Sequence, residues 1–364
     1  MSKLIHQEWP NYGGDLDDVV WLRIKAAIEH EEGDRVPIWD YIDNRYVVEH
    51  FSNPGDAYED AMVKVYHGLG IDLCRGYGSS YTTNDNGRVN DEHTNMISGQ
   101  TSWITKHRIS NYDDLATYQH RLFTDTDCEN WVKGWKAFQR RLAPLTYGVP
   151  GMGVGFDDVY SGLMGQTLFS YAIYDRRSDL ERIFEQVNYN AVRIAETAAR
   201  EKIGPIFFTW SDIAYKDRLL WSPQFLRETF IPMLRRVCEP VNNAGLTVIF
   251  HSDGDVTEIL DDMVDAGING LNPIEPIAGM DIGAIKKRYG DNLVLVGNID
   301  CSQVLPLGTP ETIREAVKDT LRQAGHGGGL FIGSSSEIVP ATPLENVLAF
   351  FEACREYGRY PLQV

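Results

Sequence analysis

The sequence predicts one (β/α)8 barrel, a mostly parallel ring of strands wrapped by helices. Three features carry that expectation: eight short apolar runs, helical periodicity between most of them, and helix punctuation where the runs begin and end. The runs, most of them rich in β-branched or aromatic residues, lie at 36–41, 71–74, 145–149, 205–210, 246–250, 268–272, 293–296 and 330–332. Several follow a glycine that ends a helix, namely Gly245, Gly267, Gly290 and Gly325, where a left-handed residue is expected. Helix starts fit too. Ser222-Pro223, Thr309-Pro310 and Thr342-Pro343 each put proline at the first helical position.

Two segments depart from this rhythm. Residues 15–32 carry Val19, Leu22, Ile24, Ala27 and Ile28 at helical spacing, so an N-terminal extension (1–34) is expected to cover the barrel's base. Residues 79–110 are polar, then alternate, and suggest a hairpin insertion. Neither reads as a separate domain, so 1–364 is expected to form one.

Composition bounds the partners. Hydrophobic residues at 43% and charged residues at 24% describe a soluble globular chain. No run approaches the roughly 18 apolar residues of a membrane span, and the amino terminus carries no apolar signal core, so a cytoplasmic enzyme is expected. A formal net charge of −18 opposes nucleic acid and anionic membranes. The five cysteines are widely spaced without a CxxC pair and read as reduced thiols. Homo-oligomerisation is left open.

In a barrel of this type, catalytic groups sit just past the C-terminal strand ends. That rule selects Asp40 and Tyr41 after the first run, Trp210 and Asp212 after the fourth, His251 and Asp253 after the fifth, Glu275 after the sixth, Asn298 after the seventh and Glu337 after the eighth. Each has a plainer reading. His251 resembles a hydrogen-bonded core histidine, Asp212 a helix cap near Ile213, Glu275 a solvent-facing acid, and Glu337 part of a turn. Beside two aspartates at a strand end, however, an imidazole can ligate a metal or carry a proton. His251, Asp212 and Asp40 are therefore the catalytic candidates, and Tyr41, Trp210, Tyr215 and Asn298 the candidates for holding substrate. Glycine-rich 325–329 precedes a strand on the opposite face, so His326 reads as structural rather than as part of a phosphate loop.

Four motifs carry a family resemblance: His251-Ser252-Asp253-Gly254-Asp255, Asn272-Pro273-Ile274-Glu275-Pro276 with Ala278 to Asp281, Gly297-Asn298-Ile299-Asp300, and 340–347. Together they resemble the uroporphyrinogen decarboxylase superfamily, from about Arg35 onward, and in style its corrinoid-dependent methyltransferase branch. The resemblance implies a (β/α)8 barrel moving a methyl group between a small substrate and the cobalt of a separate corrinoid protein. Where that branch holds zinc with His-x-Cys and a later cysteine, this chain has His251, Asp253 and Ser336, with Glu337 or Glu275 able to complete a zinc set. The arginine-rich stretch with which the decarboxylases grip their polycarboxylate is replaced by Asp40 to Tyr46, in which Arg45 is the one arginine. Oxygen ligands suggest a methoxylated, aromatic methyl donor. A cofactor-free decarboxylase and a non-catalytic ligand-binding barrel are the alternatives.

Overall fold

A computed structural model describes residues 16–77, 94–96, 102–104 and 106–364. All eight predicted runs form the barrel. Its strands are, in order, residues 38–39, Leu73–Cys74, Tyr147–Gly148, Ile206–Trp210, Thr247–His251, Gly270–Asn272, Val294–Ile299 and Leu330–Ser334. Parallel pairing runs between neighbours all the way round: Trp39 with Leu73, Leu73 with Tyr147, Gly151 with Phe208, then through the five longer strands to Ile332, which pairs with Ile38. The ring is closed, so none of its own strands is an edge strand.

The closing seam is made of isolated bridges, Ile38 with Ile332 and Ile42 with Ile338, and not of a continuous ladder. Side chains reinforce it. Asp40 accepts hydrogen bonds from the Ser334 amide (2.9 Å), the Ser334 hydroxyl (2.8 Å) and the Tyr41 amide (2.8 Å), with the carboxyl wholly buried. Alternation explains its direction. Trp39 packs inward on Phe208 and Phe331, so Asp40 turns outward under the helices. The expected catalytic Asp40 is therefore a clasp between the first and eighth strands, because its acceptor capacity is committed there.

The base is sealed as the helical spacing predicted. Helix Asp18–Ile28, capped by Asp17, buries Val20, Ile24, Ala27 and Ile28 in one cluster with Trp39, Phe208, Ile249 and Phe331. Arg23 of that helix bonds Asp72 (2.6 Å) and Asp34 (2.6 Å), while Arg35 also pairs with Asp72 (2.7 Å). This buried network joins the helix to the start of the second strand. Residues 1–15 of the expected extension lie outside the described residues. Of the expected hairpin insertion, Thr94–Met96 and Ser102–Ile104 pair antiparallel, and 79–93, 97–101 and 105 lie outside the described residues.

Punctuation held in part. Pro223 and Pro310 begin helices behind Ser222 and Thr309 caps, whereas Pro343 is itself the cap of Leu344–Tyr357. Gly245 and Gly267 are left-handed, but Gly290 and Gly325 have negative φ. Those two are required for space instead: a Cβ would lie 2.3 Å from the Lys286 carbonyl or 2.7 Å from that of Leu321. The five cysteines are buried and unbridged.

Asp40→Ala strands three donors at the seam and is expected to cost about 3 kcal/mol in urea unfolding. Burial raises the Asp40 carboxyl to about 7, so the folded state holds a proton that the unfolded chain releases near pH 4. Its contribution is then fully present below pH 4 and lost as pH rises through about 7. Stability of the wild type relative to Asp40→Asn should fall across that window; a flat difference would contradict the assignment.

Candidate functional site

Strand alternation decides which side chains enter the mouth. Below His251, Ile249 faces the barrel interior while Val248 and Phe250 face the helices, so His251 points inward at the top of its strand. Trp210 follows Phe208 in the same way, and its indole lies beside Gly153. Asn272 comes up on the neighbouring strand, paired in register with His251.

The His251 Nδ1 and Asn272 Oδ1 atoms are 2.7 Å apart. A carbonyl oxygen only accepts, so Nδ1 carries the proton and donates. In the neutral ring this leaves Nε2 with a free lone pair. Burial, helped by the charge of Arg75, lowers the pKa of His251 and favours that neutral form. Nε2 lies 3.8 Å from Asp212 Oδ1 and 3.7 Å from Asp253 Oδ1. One ligand atom from each of the three residues falls within 4.8 Å of the others.

Ligands at zinc-type bond lengths stand about 3.3 Å apart around a tetrahedron, so around one ion the two gaps to His251 would each close by roughly half an ångström and the gap between the two aspartates by at most about 1.5 Å. Two details fit such an ion. Asp253 Oδ1 is buried with no hydrogen-bond partner, although the carboxylate as a whole is half-exposed. The second nitrogen of His251 is held by a carbonyl oxygen, the usual support of a metal-bound imidazole. Burial and then the neighbouring Asp212 push the Asp253 carboxyl up to about 7. Gathering two acids here without a counter-charge is therefore unfavourable.

The surrounding residues hold this arrangement. Asp253 N–H donates to Asp212 Oδ1 (3.2 Å), and Gly254 N–H donates to Glu275 Oε2 (2.6 Å). Ser211 donates to Asp157 (2.7 Å), and the Tyr160 hydroxyl donates to the Asp212 carbonyl. Glu275 is thus a clamp on the loop that carries Asp253, and Glu337 pairs with Arg75 at 3.2 Å. Neither belongs to the three-residue group, where Asp212 takes the third place in the expected metal set.

Other expectations changed with the geometry. Asn298 accepts from Thr320 of helix Pro310–Ala324 (2.9 Å), so its side chain faces the helical layer instead of a substrate. Tyr215 is 60% exposed on a short hairpin, Ala214–Tyr215 with Arg218–Leu219, which also replaces the helix expected near Ile213. Trp221 packs on Phe169 and Tyr160. Tyr41 and Trp210 keep mouth positions. Glycine-rich 325–329 meets the base, where Gly327 N–H donates to Glu32 (2.9 Å). Arg75, Asn272, Asp157 and Tyr160 were missed. Arg75 directly follows the second apolar run and was open to the same strand-end rule; Asn272 lay inside a motif that had been noted.

Strand-end polar groups converging on the mouth of a closed parallel ring define a (β/α)8 barrel of the kind whose site lies at the C-terminal face. Residues 204–357 match the family described as Uroporphyrinogen decarboxylase (URO-D), in agreement with the motif resemblance. Methylcobamide:CoM methyltransferase MtaA of Methanosarcina barkeri is 35% identical over 138 residues, 38% of this chain and 38% of that protein. Uroporphyrinogen decarboxylase of Coxiella burnetii (strain RSA 493 / Nine Mile phase I) is 39% identical over 172 residues, 45% of this chain and 43% of that one. The chain therefore spans less than half the length of these relatives. A solved methyltransferase from Methanosarcina mazei shares the fold, with a TM-score of 0.70 over 93% of this chain and 98% of that one, at 22% identity.

Replacing Asp253 by Asn should stabilise the chelator-stripped protein at pH 8 by on the order of 1 kcal/mol, after discounting for solvent screening. Thermal unfolding of the two stripped proteins measures it, and a lower midpoint for Asp253→Asn would argue against mutual repulsion of the acids.

Proposed function

We propose that the chain is a methyltransferase that moves a methyl group between a small methoxylated substrate and the cobalt of a separate corrinoid protein. The observation that carries this reading is the His251 Nε2 lone pair facing two carboxylate oxygens, one of them buried without a donor. His251, Asp212 and Asp253 would hold a zinc ion. Such an ion, when bound, supplies Lewis acidity, and nitrogen and oxygen ligands leave it more positive character than thiolates do.

The chain's own groups have separate tasks. Breaking a methyl–oxygen bond leaves the electron pair on oxygen, so the site must present positive character there while keeping nearby bases from competing for the methyl group. Asn272 holds the Nδ1 proton of His251 and so keeps the Nε2 lone pair turned toward Asp212 and Asp253, where a bound ion would occupy it. Trp210 and Tyr41 offer ring surfaces on which an aromatic substrate would lie flat and exclude water. The acids Asp212, Asp253, Glu275 and Glu337 oppose a substrate with many carboxylates, which disfavours a porphyrinogen decarboxylase.

Purified protein is expected to bind about one zinc per chain by atomic absorption. His251→Ala should weaken that affinity roughly 100-fold or more, and Asn272→Ala about tenfold. A wild-type chain unable to take up zinc would remove the basis of the proposal and favour the cofactor-free decarboxylase. The transfer itself is tested by mixing enzyme, reduced corrinoid protein and a panel of methoxyarenes. Growth of the methylcobalamin spectrum is expected, whereas methylation of a thiol with every ether inert would overturn the donor assignment.

A further inference from the structure

Among the described residues, Arg75 is a cation of the mouth that the methyl-transfer reading leaves unused. It follows the second strand, and since Leu73 faces inward and Cys74 outward, Arg75 faces inward again. Its guanidinium lies 4.6 Å over the Tyr41 ring, which fixes the plane without using any N–H. One hydrogen bond is made among the described residues, to Glu337 Oε2 at 3.2 Å. That contact is single and longer than the roughly 2.7–2.9 Å of a good charge-assisted bond.

The arginines at the base are used differently. Arg23 makes three carboxylate bonds of 2.6 to 2.8 Å, and Arg35 makes two to Asp72 besides two to carbonyls. Those are saturated structural ties. Arg75 keeps most of its five N–H donors without a described partner, at 24% exposure, on the same mouth as His251 and Asp253. A planar guanidinium held this way matches a carboxylate two bonds at a time.

We propose that Arg75 binds a carboxylate of the substrate and sets the site's preference for methyl donors that carry one, a deepening that rests on the methyl-transfer reading. Glu337 occupies the guanidinium when substrate is absent and is displaced by it. A single arginine suits one carboxylate, whereas the acids around it reject a polyanion.

Benzoate and benzamide are nearly equal in shape and differ in charge, so calorimetric titration of the zinc-loaded full chain with each isolates the recognition from methyl chemistry. Benzoate is expected to bind at least tenfold more tightly. Arg75→Met should abolish that preference, weakening benzoate to the level of benzamide, and Glu337→Gln should tighten benzoate severalfold by freeing the guanidinium. Zinc content should be the same in all three proteins. Equal binding of the two probes, no binding of benzoate, or a benzoate preference unaffected by Arg75→Met would overturn the proposal. A preference that survives Arg75→Met and disappears with chelator would assign the carboxylate to the metal instead. Failure of the wild type to hold zinc would be seen separately and would count against methyl transfer.

Discussion

Closure of the strand ring is the constraint on which everything else in the molecule depends. The first and eighth strands meet only through isolated bridges, Ile38 with Ile332 and Ile42 with Ile338, and buried Asp40 adds side-chain hydrogen bonds from Ser334 between them. Once the ring is shut, side chains from distant stretches of sequence converge on one mouth. Arg75 and Glu337 are separated by 262 residues and meet in an ion pair because their strands lie on either side of the first one. A seam that opened would let that pair drift apart while the contiguous sheet from the fourth to the eighth strand kept its pairing.

The mouth collects more acid than it can neutralise. Among the described residues, Asp212, Asp253, Glu275 and Glu337 stand around the His251 imidazole and the Arg75 guanidinium, and burial raises the pKa of Asp253, Glu275 and Glu337. Such a concentration costs folding stability and persists where the charges meet a ligand. His251, Asp212 and Asp253 bring one ligand atom each within 4.8 Å of one another at the proposed cation site, and Arg75 and Glu337 form the single-bonded pair that the proposed carboxylate would exchange. The positions of both groups follow from the ring and from clamps such as Gly254 to Glu275 and Tyr160 to the Asp212 carbonyl.

The barrel was legible because each buried strand must be apolar on both faces and each helix start must be capped, demands that act over a few residues and leave local marks. Seven of the eight runs became strands and the first became isolated bridges in the same ring, and Ser222 and Thr309 became caps. His251 and Asp253 were legible for the same reason, since strand-end position is a local property. In-or-out direction could also have been read by alternation, which would have turned Asp40 away from the mouth and brought Arg75 into it. Asn298 escaped that rule, because its bond to Thr320 depends on where a later helix packs.

Sequence by itself determined the fold class, the face on which the candidate site lies, and the imidazole with a neighbouring carboxylate at the centre of that candidate site. Tertiary structure alone decided which acids share that centre. Asp212, Glu275 and Glu337 all stand past strand ends in loops, where no periodicity ties side-chain direction to position, and their separations depend on how several loops fold against one another. Glu275 is spent on the Gly254 amide and Glu337 on Arg75, which leaves Asp212, one strand away from His251, as the third member. The physical reason is range: burial and capping are settled within a turn of helix or a single strand, whereas a three-residue site is settled by distances that exist only after the ring has closed.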